Sequence, residues 1–291
     1  MKKFLEAAAM PLIRYASRSY VAGDNAASAA RLAETASQHG FSSTLCYWND
    51  GREEPALVAR RYHEAIDTID RARLDSYLAL KIPALWDNFD LAAEIVTHAR
   101  ACRVPVVLDS HAPEQADANF AFIEKVGPDG MGCAIPGRWR RSAADVERAI
   151  ALGVQVRVVK GQWVDPQQPD IDLRAGYLAL IDQLVGRAKH VGVATHDGWL
   201  ARQAFDRLRA AQTSCEQELV YPDPTNNAVD VAIDADIPSR LYIPFGTAWL
   251  PYSVSRAAQK PEVLLWLVKD LFTSNRFQMP TRRSSSDGLA Q

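Results

Sequence analysis

Cysteine is scarce. The four in 291 residues, Cys46, Cys102, Cys133 and Cys215, are widely spaced and form no C-x-x-C pair. Neither a zinc site nor a disulfide framework is expected, and no metal; the thiols read as buried or half-buried in a reducing cytoplasm. Long hydrophobic runs are missing too: no stretch reaches the roughly 20 apolar residues of a membrane-spanning helix. The opening MKKFLEAAAMPLIRYA has the paired lysines of a secretory leader, but Glu6 and Pro11 interrupt the apolar stretch such a leader needs. An excess of one charge is absent, since 33 Lys and Arg face 35 Asp and Glu for a net charge of -2. That balance gives no electrostatic footprint for nucleic acid or an anionic membrane, and favours a small-molecule partner. No G-x-G-x-x-G follows an apolar run, which counts against a Rossmann dinucleotide fold, and no internal repeat is visible.

What is present is a soluble globular composition, 48% hydrophobic and 23% charged. Short β-branched or apolar runs alternate with longer amphipathic stretches, the signature of βα units. The expected strands are Ser43 to Tyr47, Ser76 to Ile82, Val104 to Asp109, Met131 to Ile135, Val154 to Val159, Val191 to Thr195, Glu218 to Tyr221 and Arg240 to Ile243. Eight parallel strands close a (β/α)8 barrel, the TIM barrel, which typically needs about 250 residues. Asp24 is expected to cap a helix over Asn25 to Gln38 stopped by Gly40, and Ser142 a helix over Ala143 to Leu152 stopped by Gly153. The chain divides into an N-terminal helical arm over 1–40, a barrel over 41–272 and a polar tail over 273–291.

Catalysis in such a barrel belongs at the C-terminal ends of the strands, where the βα loops converge. Polar residues gather there: Lys81, Asp109, Arg157 with Lys160, Thr195 with His196, Glu218 opening strand seven, and Tyr242. A charge within an apolar strand is costly unless paired or used, so a set at corresponding ends is informative, although any single one is as readily half of a structural ion pair. His98, His111 and His190 read as helix-face or loop residues without a role, and Trp139, Trp163 and Trp249 as packing.

The run Val156-Arg157-Val158-Val159-Lys160-Gly161 resembles the fifth-strand RLVKGAY motif of the proline dehydrogenases. Ala194-Thr195-His196-Asp197 is similar to that family's ATHN. Arg240 to Gly246 followed by Trp249, Tyr252 and Arg256 looks like its eighth strand and following helix, Ser76 to Leu85 with Lys81 like its VKLS segment, and Asp109 falls at its third-strand aspartate. The matches keep the family's order from Gly40 to Phe272.

The resemblance implies a distorted (β/α)8 barrel holding non-covalent FAD, with a final helix over the mouth. It places Arg157 beside the electron-accepting edge of the flavin. Ser110, Val159, Lys160, Gly161, Gln162, Thr195 and His196 would contact the cofactor, and Lys81, Tyr242, Tyr252 and Arg256 would line the substrate pocket, with Asp109 positioning Lys81. The implied reaction moves a hydride from the carbon beside a cyclic secondary amine to the flavin, giving an imine. In the family the electrons then pass to a membrane quinone, so the protein is expected in the cytoplasm and peripheral at the membrane.

Departures fall first at the substrate end and then around the cofactor. Two adjacent arginines and a glutamate three residues on become Ser255, Arg256 and Gln259; strand-seven FEFQ becomes Cys215-Glu216-Gln217-Glu218; strand-one LGE becomes Trp48-Asn49-Asp50; and the strand-four glutamine and tyrosine give way to Pro136, Gly137 and Arg138, the last expected to be a solvated loop arginine. Flavin binding is expected to survive and substrate choice to have moved. Two other readings stay open: a Schiff-base lyase or aldolase using Lys81 or Lys160, and a flavin-binding relic without turnover.

Overall fold

The computed structural model describes residues 22–49, 51–167, 169, 171–221 and 226–246. Its strands are β1 (Phe41–Tyr47), β2 (Ser76–Leu80), β3 (Val106–Leu108), β4 (Met131–Pro136), β5 (Gln155–Val159), β6 (Val191–Ala194), β7 (Cys215–Val220) and β8 (Ser239–Phe245). All pairings are parallel, and β8 pairs with β1 to close the eight-stranded barrel. Helix α1 (Ala26–Gln38) precedes β1, and α2 (Pro55–Arg71), α3 (Phe89–Ala101), α4 (Ala116–Val126), α5 (Ser142–Leu152), α6 (Leu173–Leu184), α7 (Gly198–Ala210) and α8 (Asn226–Asp234) fill the crossovers in turn. Fold class and strand number match the expectation.

Strand period explains the layering. Leu78 and Leu80, Val106 and Leu108, Val156 and Val158, Val191 and Val193, and Leu241 and Ile243 alternate outward into the core shared with the helices, where all are buried. Burying such a side chain contributes about 1.5–3 kcal/mol. The alternate positions face the barrel interior, which branched aliphatics usually fill. Here that interior is charged. Near the N-terminal ends Arg240 donates to Glu216 at 2.9 Å and stacks 3.5 Å above the Tyr77 ring. One layer higher Arg157 meets Glu218 and Asp109.

Several boundaries differ from the sequence reading. Strand β7 starts at Cys215, so Glu218 lies well inside it rather than opening it. Strand β2 ends at Leu80 because Pro83 and the left-handed Trp86 (φ 53°) turn the chain into a short 3-10 helix, Ile82–Leu85. Lys81 and Asp109 therefore follow their strands. Asn25, not Asp24, caps α1, accepting from the Ser28 amide at 3.0 Å. Ser142 is the first residue of α5, and its hydroxyl donates to the Pro136 carbonyl instead of capping. Gly153 ends that helix in the left-handed conformation, as expected.

The thiols also fit the reading. All four are free; Cys46, Cys133 and Cys215 are buried and Cys102 is half-buried. Burial pushes Cys46 and Cys215 up to about 11 and Cys133 up to about 12. At pH 8 a thiol with a pKa near 11 is ionised to only ~0.1%, and the thiolate is the nucleophile. Iodoacetamide on the native protein is expected to modify Cys102 first and stop near one equivalent, with the other three reacting only after unfolding, as peptide mapping will read.

Candidate active site

The mouth of the barrel is organised around one guanidinium. Arg157 points inward from β5, 4% exposed, and touches side chains from across the barrel. Its Nε donates to Glu218 Oε2 on β7 at 2.7 Å, and its Nη1 donates to Asp109 Oδ1 beyond β3 at 3.1 Å. Its carbon centre lies 5.3 Å from the Tyr242 ring on β8. Tyr242 donates its hydroxyl to the other Asp109 oxygen at 2.6 Å, and the Cys46 thiol approaches that oxygen at 3.7 Å. The two carboxylates raise the guanidinium pKa against the opposing effect of burial. Burial pushes Glu218 above the ordinary carboxylate range, with Arg157 pulling the other way. Glu218 fits because β6 offers Gly192, where a Cβ would overlap its carboxylate.

Above this layer lies a cavity of about 340 Å³, walled by Lys81, Asp109 and Tyr242 from the expected set, by Ser110 and Gln162, and by Trp48, Asn49, His111 and Trp163. That volume falls at the lower end of small-molecule sites. The Lys81 ammonium lies 4.9 Å from the centre of the Trp48 ring, a cation–π contact. The expected Asp109–Lys81 pairing is not what forms. Asp109 commits its oxygens to Arg157 and Tyr242, and no ion pair joins it to Lys81 among the described residues. Arg157 attracts Asp109 more effectively because its planar fork holds two carboxylates at once.

The remaining expected residues lie at the ends of β5 and β6 and in the loops that follow. Val159 ends β5. Lys160 pairs with Asp197 at 3.4 Å, and Asp197 also binds Arg174 at 2.8 Å while capping α7 through the Leu200 amide. Burial raises the Asp197 carboxyl, but the bonds from Arg174 and the Leu200 amide, with the Lys160 charge, bring it below its usual range. Thr195 is buried and accepts from the Asp197 amide, and His196 Nε2 accepts from the Val220 amide at 3.0 Å. Gly161 has φ +90°, and a Cβ there would lie 2.7 Å from that of Pro136. Arg138 is not solvated as expected: half-buried, it donates to the Gly161 carbonyl at 3.1 Å and braces the loop after β5. Tyr252 and Arg256, with Trp249, Ser255 and Gln259, lie outside the described residues.

Sequence reasoning missed three members. Glu218 was noted but given no partner; the inward period of β7 together with Arg157 was the available signal. His111 follows Asp109 by two residues and reads in sequence as a loop histidine, yet burial and then the Lys81 charge lower its imidazole pKa, which favours the neutral form at pH 7. Trp163 was assigned to packing, but it is half exposed at the rim while its carbonyl accepts from the Trp139 indole at 2.8 Å.

A flavin fits these residues. Arg157 Nη2 is buried without a hydrogen-bond partner among the described residues, a donor awaiting an acceptor. Gly161 gives the loop after β5 the positive φ and the close packing against Pro136 and Arg138 that set its path past the strand end. Among the described residues no cluster could hold a metal ion, and no helix is long and apolar enough to cross a membrane.

No family model matches the chain. Proline dehydrogenase 1 of Bacillus subtilis subsp. natto is 25% identical over 280 residues, covering 89% of this chain and 91% of that one. Proline dehydrogenase of Deinococcus radiodurans is 21% identical over 275 residues, covering 87% and 88%. Among solved structures, proline utilization A from Bdellovibrio bacteriovorus superposes with a TM-score of 0.73 at 15% identity, covering 90% of this chain and 33% of that one. The Corynebacterium freiburgense protein of the same name gives 0.69 at 14% identity, covering 96% and 35%. The chain thus spans about a third of those longer proteins, and at such identities they establish the barrel alone. Sequence likeness along nine-tenths of proteins of similar length carries the relationship. The chain is similar in sequence to proline dehydrogenases over close to nine-tenths of its length.

Proposed function

We propose that the protein is a flavin-dependent oxidoreductase that oxidises a proline-like cyclic secondary amine to its imine and returns the electrons to a quinone. The observation that carries this is Arg157, a buried cation with one uncommitted donor, bonded to the Asp109 carboxylate in a cavity wall that Lys81 and Tyr242 share. Bound FAD would supply the hydride acceptor. Arg157, Lys160, Gly161, Gln162, Ser110, Thr195 and His196 would hold it, the first as a fixed charge.

The rest belongs to the chain. Only a neutral amine has the lone pair that drives hydride departure, so the pocket must disfavour the ammonium. Lys81 does so by repulsion. The neutral imidazole of His111, which lines the same cavity, would receive the proton. Asp109 fixes Tyr242 by accepting its hydroxyl proton, which orients the ring at the cavity wall. The family's anchoring positions at Ser255, Arg256 and Gln259 retain one arginine where two are usual, so substrates with a masked carboxylate are favoured relative to free proline.

Purified protein supplied with FAD is expected to absorb near ~450 nm, the cofactor's own property. That band is expected to bleach anaerobically with proline, pipecolate, hydroxyproline or their esters, the esters faster. Bound flavin that no amine reduces would reject the oxidase reading and leave a relic. Colourless protein that borohydride traps with a keto substrate would instead establish a Schiff-base enzyme.

A further inference from the structure

Beneath the cavity the guanidinium of Arg157 is neutralised: the carboxylates of Asp109 and Glu218 lie against it at 3.1 and 2.7 Å. The Glu218 contact is buried on both sides, at 4% and 5% exposure, where water screens little. A second cation, Lys160 just beyond the end of β5, is paired with Asp197, which it shares with Arg174. Both carboxylates stand where the resembling motifs, FEFQ and ATHN, carry an amide of the same shape. Twice, then, a neutral neighbour of a cation has become an anion.

A fixed positive charge beside a flavin favours the reduced ring, which carries more electron density than the oxidised one. A carboxylate bonded to that charge removes most of this effect. We infer that Glu218 is a positioning residue that neutralises Arg157 and thereby holds the reduction potential of bound flavin at or below that of free flavin, an inference that rests on the flavin reading above. Gly192 is part of the device, since any larger residue there would displace the Glu218 carboxylate. A flavin poised this way accepts a hydride less readily and gives up electrons more readily, so the donor must be a strong one.

The test is the two-electron midpoint potential of the holoenzyme, measured by equilibration with a reference dye beside free FAD in the same buffer. The wild-type value is expected at or below that of free FAD. Glu218→Gln is expected to shift the two-electron equilibrium toward reduced flavin by tenfold or more, about 30 mV upward. Glu218→Asp, which keeps the charge, should stay nearer wild type, and Asp197→Asn should move the same way as Glu218→Gln by less. The wild-type measurement stands even where a variant does not fold. A wild-type potential 30 mV or more above free FAD, or an unmoved Glu218→Gln, overturns the inference and leaves the flavin reading intact. Protein that takes up no flavin overturns both.

Discussion

Arg157→Met is expected to destabilise the protein by roughly 3–5 kcal/mol, the cost of leaving a buried ion without its partner. The arginine does not face one carboxylate but two, and neither has an equivalent donor in reserve. Glu218 is 5% exposed and depends on the Arg157 Nε bond, while Asp109 retains Tyr242 and the weak Cys46 contact. The deficit should therefore lie mainly with Glu218. Arg157→Met combined with Glu218→Gln should recover part of it, with a coupling of about 0.5–3 kcal/mol between the two sites. Urea midpoints of the two single variants and the double variant, at unchanged m, measure that coupling. The pH dependence has a definite sign. Burial already raises Glu218, and loss of Arg157 removes the charge that opposed the rise, so the folded variant holds that proton more tightly than the unfolded chain. Its penalty is full above the folded pKa and shrinks as pH falls toward the ordinary glutamate value near ~4.3. Additive single losses, or a penalty that deepens in acid, would show that the pair is not the unit described.

The barrel was legible because it rests on two short-range signals, apolar alternation every second residue and glycine or proline punctuation between runs, and parallel closure follows from their number. Strand β7 was read too short for the same reason. In Cys215-Glu216-Gln217-Glu218 the outward positions are a cysteine and a glutamine, and Gln217 is tolerated in the core only because its amide donates to the Ala228 carbonyl at 2.7 Å and its oxygen accepts from Ser239. No hydrophobicity pattern contains those bonds. The site was half legible: residue types at strand ends indicated which charges share the mouth, but not which would pair. Asp109 could reach either Lys81 or Arg157 from its strand end. The choice is made by side-chain geometry across the barrel, 48 residues apart in sequence for the pair that forms. His111 escaped for a related reason, since its low pKa arises from burial and from Lys81 just beyond the end of the neighbouring strand.

Because Asp109 does not neutralise Lys81, the ammonium is left to act on whatever enters the cavity, and Lys81→Met is expected to be the most damaging change to turnover that leaves the fold intact. Lys81 is only half-buried, and its charge makes no ion pair among the described residues, so stability should change little. A like charge near the substrate nitrogen shifts its ammonium pKa down by an amount comparable to the one to three units that opposite charges produce upward. Removing it returns the nitrogen to its own value, so at pH 7 the neutral fraction, and kcat/KM with it, should fall roughly tenfold to a thousandfold. The acid limb of the pH profile should move up by the same interval, and activity should return as pH rises. Lys81→Arg, which keeps the charge, should retain the wild-type limb. The imidazole of His111 is an independent reporter of the same field: burial lowers its pKa first and the Lys81 charge second, so in Lys81→Met its resonances should titrate at higher pH. A profile that keeps its acid limb while His111 does shift would mean that the field is real but the substrate amine is not held within it, and would place the deprotonation elsewhere in the mouth.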